Sequence, residues 1–172
     1  MAGSGRISVF ASKDLRTLLA TLKQVPKDVQ KNVRAQTKAE AQPIWQSEVQ
    51  SRVTSRLDQR VLGNTARVRV SNQNVMLESA RIGKSLQHGV KPSQLAGGVE
   101  FGANREEKTT YTATSRNGKR YSVTRRTKRQ LPSRNTNGRI IFPSSRKAVP
   151  RLAKLWVQTS FRTLLDAFDK NN

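Results

Sequence analysis

Positive charge is the feature that most limits how this chain can fold. Its 33 lysines and arginines face only 11 aspartates and glutamates, which gives a formal net charge of +22. Self-repulsion of that size opposes a compact, isolated monomer. Hydrophobic residues make up only 34% of the 172 positions and aromatics 5%, so the interior they can form is thin. We therefore expect a structural protein that works beside something anionic, either nucleic acid or an acidic protein surface.

The residues that most enzyme sites need are missing from the sequence. There is no cysteine, which excludes disulfides, thiolate catalysis and cysteine-ligated metal sites. The only histidine is His88, in an expected loop beside Gly89. No serine elbow, Walker-type glycine loop or metal-binding cluster is present. The sequence therefore predicts a protein that is not an enzyme and that has no catalytic residues, no metal and no cofactor.

The distribution of apolar residues gives an expectation about location. No apolar run approaches the ~20 residues that span a bilayer, so no membrane partner is expected. The first five residues, Met-Ala-Gly-Ser-Gly, lack the apolar core of a secretory signal. We expect the chain to work in a cytoplasm or in a particle assembled there.

Hydrophobic periodicity predicts a single α+β domain over residues 1–172, with N-terminal and C-terminal helices packed on a small antiparallel sheet. A period near 3.6 predicts helices at about 13–25, 27–57 and 144–168. Alternation or short apolar runs predict strands at 6–10, 66–70, 75–78, 98–102 and 139–142. Pro43 is expected to kink or break the second helix, and Pro143 to separate the last strand from the last helix.

Four large aromatic residues on the predicted helices are expected to belong to the core. Trp45 lies on the apolar stripe of the second helix. Trp156, Phe161 and Phe168 follow one another at helical spacing in the last helix. The last helix is the most apolar segment of the chain, so it should be central to the interior.

Residues 104–136 differ from the rest and are predicted to form a projecting basic β-hairpin, which we call the arm. Between positions 105 and 134 there are ten lysines and arginines against two glutamates. Asn117-Gly118 is typical of a two-residue type I′ turn. That turn would place Thr114 opposite Tyr121 and Thr112 opposite Val123. Too few apolar residues are available to bury either face of such a hairpin.

The arm supplies the candidate contact residues, and three interpretations of it stay open. Its cations could contact phosphate with the tyrosines stacking beside them, could pair with acidic surfaces of neighbouring subunits, or could simply keep a flexible insertion soluble. Glu106 and Glu107, flanked by Arg105 and Lys108, are expected to be neutralised locally. The candidate contact residues are Tyr111, Arg116, Lys119, Arg120, Tyr121, Arg125, Arg126, Lys128 and Arg129.

Two short motifs on either side of the arm carry a resemblance to a known family. Val99-Glu100-Phe101-Gly102 precedes the arm, and Phe142-Pro143 follows it, leading to Ala148 and the final helix. In this order, after two helices and a short β-meander, they resemble the tail-completion, or neck, family of long-tailed bacteriophages. The resemblance covers most of the chain by layout and about a dozen residues by identity.

The resemblance implies a structural virion protein of the phage neck. It implies a homo-oligomeric ring, expected to be a hexamer, at the head–tail junction around the DNA path. The implied partners are the connector or head-completion protein, the tail terminator or tail-tube protein, and packaged DNA in a sequence-independent contact. Tail completion, tail terminator and other connector subtypes stay open. The alternative is a free, sequence-independent nucleic-acid-binding protein; a nuclease would need an acidic metal cluster that the sequence lacks.

Overall fold

The computed structural model describes residues 6–7 and 13–169 and has a mixed helical and β architecture. The five α-helices are α1 (Lys13–Gln24), α2 (Lys27–Gln50), α3 (Arg56–Asp58), α4 (Pro92–Phe101) and α5 (Ile141–Asp169). The five strands are β1 (Arg6–Ile7), β2 (Arg67–Val70), β3 (Val75–Glu78), β4 (Thr109–Thr114) and β5 (Arg120–Arg125). The predicted α+β class is confirmed. Within the described residues, no helix is both long enough and apolar enough to cross a membrane.

A three-stranded antiparallel sheet lies next to the long helices, in the order β1-β3-β2. Val68 pairs with Leu77, and both side chains are buried in the core. Arg67 and Arg69 alternate with these apolar positions and point to solvent. The two predicted strands and the turn between them are confirmed. Residues 8–10 of the predicted first strand lie outside the described residues.

The second helix ends seven residues earlier than predicted, at Gln50 rather than Leu57. The next helix, α3, is capped by Ser55, whose hydroxyl accepts a hydrogen bond from the Asp58 backbone N–H while the Asp58 carboxylate accepts the Ser55 N–H. The apolar stripe continues across this break, which is why periodicity alone extended the helix. α2 runs continuously through Pro43, so the alternative of a break there is wrong.

The strand predicted at 98–102 is wrong, because residues 92–101 form the helix α4 instead. Pro92 occupies the first helical position, where no helical hydrogen bond needs a backbone N–H donor. The Gln94 side chain accepts a hydrogen bond from the Lys91 backbone N–H at 2.8 Å. Ala96 and Val99 then lie on the buried face of the helix. Two adjacent glycines and a Val-Glu-Phe run made this segment resemble a strand, and burial against its neighbours overrides that local preference.

The last helix begins at Ile141, so the predicted strand at 139–142 is also wrong. The first helical hydrogen bond runs from the Ser144 N–H to the Ile140 carbonyl at 3.0 Å. Pro143 therefore lies in the first turn, where no backbone N–H donor is needed, and does not separate two elements. Pro150 lies within the same helix.

The core is formed where α2 and α5 pack together against the sheet and α4. Trp45 and Trp156 are almost fully buried in it, as predicted. Phe161, predicted to be a core residue, is 55% exposed, and Leu165, one turn later, is 62% exposed. The Phe168 side chain lies outside the described residues. Near the end of α5, the buried Leu164 packs with apolar side chains of α1 and α2, whereas Phe161 and Leu165 lie on the exposed side of the helix.

The exposure of Phe161 predicts a clear contrast between two truncations on the same helix. Phe161→Ala should lower the free energy of unfolding by less than about 1 kcal/mol, because little buried surface is lost. Leu152→Ala, at a fully buried position, should lower it by about 2–5 kcal/mol. Urea unfolding followed by circular dichroism measures both, and equal losses would mean that Phe161 is covered in solution.

Candidate macromolecular interface

The arm is a two-stranded hairpin closed by a three-residue loop. The Ser115 N–H donates to the Lys119 carbonyl at 2.8 Å, and the Gly118 N–H donates to the Ser115 carbonyl at 2.9 Å. Gly118 has a φ of 76°, which a glycine adopts without strain. The Ser115 hydroxyl also accepts the Lys119 N–H at 3.1 Å, which favours this loop over the predicted two-residue turn.

The longer loop shifts the strand register by one residue from the prediction. Thr114 lies opposite Arg120 rather than Tyr121, and Tyr111 rather than Thr112 lies opposite Val123. A shift of one residue in one strand moves its side chains to the other face of the hairpin. The predicted register would have separated the two tyrosines, whereas the observed one places both on the same face.

We call this side of the hairpin the tyrosine face; it is formed by Tyr111, Ala113, Tyr121 and Val123. Tyr111 is 43% exposed and Tyr121 50% exposed, and the smaller two side chains between them are half-buried. The opposite face is mostly threonine and serine. Since the remaining ten strand residues of the hairpin, the tyrosines included, are exposed, both faces meet solvent. The arm therefore projects, as predicted.

Two glutamates organise the base of the arm. Glu106 forms ion pairs with Arg126 at 3.0 Å and Arg129 at 3.3 Å, and Glu107 pairs with Lys128 at 2.6 Å. The expected neutralisation of these glutamates is found, but their partners lie across the hairpin rather than next to them in sequence. All five side chains are substantially exposed, so the pairs position the strands more than they stabilise the fold.

These ion pairs divide the predicted contact residues into two groups. Arg126, Lys128 and Arg129 are held at the base by the glutamates. In the described part of the chain, the other four cations make no ion pair, and all are exposed. These four, which we call the free arm cations, are Arg116, Lys119, Arg120 and Arg125. The arm thus presents unpaired positive charge at its tip, at Arg116, Lys119 and Arg120, and near its base, at Arg125.

Glu100 connects the two ends of the arm to the core, in an arrangement that we call the Glu100 clamp. Its Oε1 accepts hydrogen bonds from the backbone N–H groups of Arg139 at 3.1 Å and Phe142 at 3.0 Å. Its Oε2 accepts those of Ile140 at 3.1 Å and Ile141 at 2.9 Å. The carboxylate is 1% exposed and lies at the amino end of α5, where the helix dipole favours a negative charge.

Close backbone contacts surround the Glu100 clamp. Gly102 has a φ of 68°, and a Cβ atom there would lie 2.3 Å from the Ser133 carbonyl oxygen. Gly138 has a φ of 77°, and a Cβ there would lie 2.4 Å from Glu100 Oε1. The Phe101 and Phe142 rings pack with centroids 5.2 Å apart. The two motifs on which the family resemblance is based therefore meet in one structural joint, and they are buried or half-buried rather than free to bind.

No match was found between this chain and any family model, curated protein or solved structure. The candidate site is therefore defined by its own geometry. Among the residues that the structure describes, no group of three acidic, histidine or cysteine side chains could hold a metal ion. His88 is exposed in a short turn, with a φ of 59°. The basic arm is therefore the candidate surface for binding another macromolecule.

Removing the arm should leave the core folded. We expect a variant with residues 108–126 replaced by a short glycine-serine linker to unfold with a free energy within about 1 kcal/mol of the full chain, since the removed strands bury little surface. Thermal unfolding followed by circular dichroism measures this. A variant that does not fold would contradict the description of the arm as a separate, exposed module.

Proposed function

We propose that this chain is a non-enzymatic structural protein of the neck of a long-tailed bacteriophage. In this role it forms a homo-oligomeric ring at the head–tail junction that joins the connector to the tail tube around the DNA path. The observation that carries the proposal is the Glu100 clamp. The two motifs that resemble the tail-completion family, 99–102 and 142–143, come together there, at the root of the arm.

The distribution of acidic residues supports work inside an assembly. Four carboxylates are buried and satisfied within the fold, and two more pair with the arm base. The buried ones are Glu48, Asp58, Glu78 and Glu100. Among the acidic residues whose exposure the structure describes, four are both exposed and outside any ion pair: Asp28, Glu40, Asp166 and Asp169. The counter-charge for a net charge of +22 must therefore come from other molecules.

Two exposed features suit contacts with neighbouring proteins in such a ring. The arm extends beyond its own core, and Phe161 and Leu165 form an exposed apolar pair one helical turn apart on α5. Apolar side chains at subunit contacts complete a thin interior by burying surface between copies. The implied partners are further copies of this chain, the connector or head-completion protein, and the tail terminator or tail-tube protein.

Gene inactivation in the phage that encodes the chain tests the proposal. We expect DNA-filled heads and separate, complete tails to accumulate, with the joined particle restored when the chain is supplied from a plasmid. Negative-stain electron microscopy of lysates distinguishes these products. Supplying the Phe161→Ala variant from the plasmid, in parallel with the full chain, tests the apolar contact. Normal, infectious particles without the chain would overturn the proposal.

A free, sequence-independent nucleic-acid-binding protein is the second candidate, favoured by the four free arm cations. It predicts a monomer or dimer that binds bulk DNA or RNA with strong salt dependence and is absent from purified particles. Immunoblotting of gradient-purified particles separates the two candidates.

A further inference from the structure

We propose that the tyrosine face of the arm is a binding site for unpaired bases of single-stranded nucleic acid. Tyr111 and Tyr121 would stack on successive bases while Arg116, Lys119 and Arg125 contact the phosphates. The site is built entirely from residues of the arm, so its existence does not depend on the role of the chain in a phage neck.

The register of the hairpin is the first observation that carries this proposal. Tyr111 lies opposite Val123, and Tyr121 lies opposite Ala113, so the two tyrosines are diagonal neighbours on one face. Such diagonal positions are about 7–8 Å apart. About half of each ring is exposed, although a buried position is more usual for a large aromatic side chain. The pair forms a short, open aromatic platform.

Charge at both ends of this platform is the second observation. Arg125 lies on the same face, opposite Thr109 and next to the base, while Arg116 and Lys119 lie in or beside the loop at the tip. All three are exposed and outside any ion pair in the described chain. Aromatic side chains flanked by cations bind single strands because every base has a face that can stack and every nucleotide carries a phosphate.

A second copy of this chain is a poor occupant of the tyrosine face. Among the acidic residues whose exposure the structure describes, six are buried or already paired, and four exposed carboxylates remain to contact a neighbouring arm. Two basic arms brought together would repel each other. The partner is therefore anionic and chemically different from the chain.

An acidic protein fits the face less well than a nucleic acid does. A stable protein interface buries about 800 Å² on each side and uses about 20–30 residues. The tyrosine face offers four side chains in a strip two residues wide. A single strand needs only a narrow track of this kind, and site sizes begin at about four nucleotides.

Fluorescence anisotropy with the full-length chain tests the proposal. The probes are labelled oligothymidylate and oligouridylate of about twenty nucleotides, and the matching DNA duplex. We expect Tyr111→Ala and Tyr121→Ala each to weaken single-strand binding about 5- to 100-fold and to leave duplex binding within about twofold. Comparing the two single-stranded probes distinguishes DNA from RNA as the source of the bases.

The opposite face provides a matched control. Thr110→Ala and Thr112→Ala alter the same strand without touching the tyrosine face, and they should change single-strand affinity by less than about twofold. Tyr→Phe at either position should keep the binding, since stacking does not need the hydroxyl. Valine favours a strand but cannot stack on a base, so Tyr→Val should abolish single-strand binding even where the hairpin stays formed.

The free arm cations are tested separately through salt. Replacing the three that flank the tyrosine face, Arg116, Lys119 and Arg125, by Gln should make the plot of log affinity against log salt shallower by about 2, because each phosphate contact on a single strand contributes about 0.7. Tyrosine variants should keep the original slope.

Three results would overturn the proposal. One is that the tyrosine variants bind single strands as the threonine variants do, which would leave only electrostatic attraction. Another is equal loss of single-strand and duplex binding in the tyrosine variants. The third is a tyrosine-dependent complex with polyglutamate and none with the oligonucleotides, which would identify an acidic protein as the partner.

Discussion

Replacing Glu100 by Ala is expected to lower the free energy of unfolding by about 3–5 kcal/mol. The carboxylate accepts four backbone hydrogen bonds at the start of α5, and its loss leaves buried N–H groups without an acceptor. For a chain of this length, such a loss lowers the melting temperature by about 6–20 °C. Differential scanning calorimetry measures it directly.

Two further variants make the Glu100 result interpretable. Glu106→Ala removes the same group from an exposed ion pair and should cost less than about 1 kcal/mol. Glu100→Gln keeps the shape and one acceptor oxygen, so its loss should fall between those of the two alanine variants. If Glu100→Ala melts within about 2 °C of the unchanged chain, the clamp does not hold the fold together.

Trp45→Ala is the second substitution with a large expected effect. The indole is 0% exposed between α2, the sheet and α5, and its Nε1 donates to the Glu78 carbonyl at 3.1 Å. Truncation opens a large cavity in a thin core and removes that hydrogen bond. We expect a loss of about 3–5 kcal/mol, or failure to fold, measured by urea denaturation.

A conservative change at Trp45 separates packing from hydrogen bonding. Trp45→Phe retains most of the apolar volume and loses the N–H donor, so it should be less damaging than Trp45→Ala by at least about 1 kcal/mol. Equal losses in the two variants would show that the hydrogen bond to Glu78 dominates and that the packing described around the indole is wrong.

Local pattern was enough to predict the elements whose neighbours in space are also neighbours in sequence. Arg67 and Arg69 alternate with apolar residues and predict β2, and the next strand returns after four turn residues. The charge of residues 104–136 and the Asn117-Gly118 pair predicted an exposed hairpin. Each of these predictions depends on short-range preferences that tertiary contacts do not oppose.

The errors arose where distant residues decide the local structure. Residues 139–142 are apolar enough to resemble a strand, yet Glu100, about 40 positions earlier, accepts their N–H groups and starts a helix there. No pattern within the segment carries that information.

Hydrophobic periodicity could not predict the hairpin register or the exposure of Phe161, for two other reasons. Asn-Gly suits both a two-residue and a three-residue loop, and the side chain of Ser115 favours the longer one. Phe161 lies on an apolar stripe, but whether a stripe is buried depends on how far neighbouring elements extend along the helix. The family resemblance and the neck function stay proposals.

The proposed neck function requires that this basic chain lie inside a phage assembly that supplies its counter-charge, and cryo-electron microscopy of intact phage particles whose genome carries this sequence tests that requirement. The account predicts a ring of density between head and tail that fits α2, α5 and the sheet, with the arm of each copy reaching beyond its own core. Particles whose neck contains no density for this chain would contradict it.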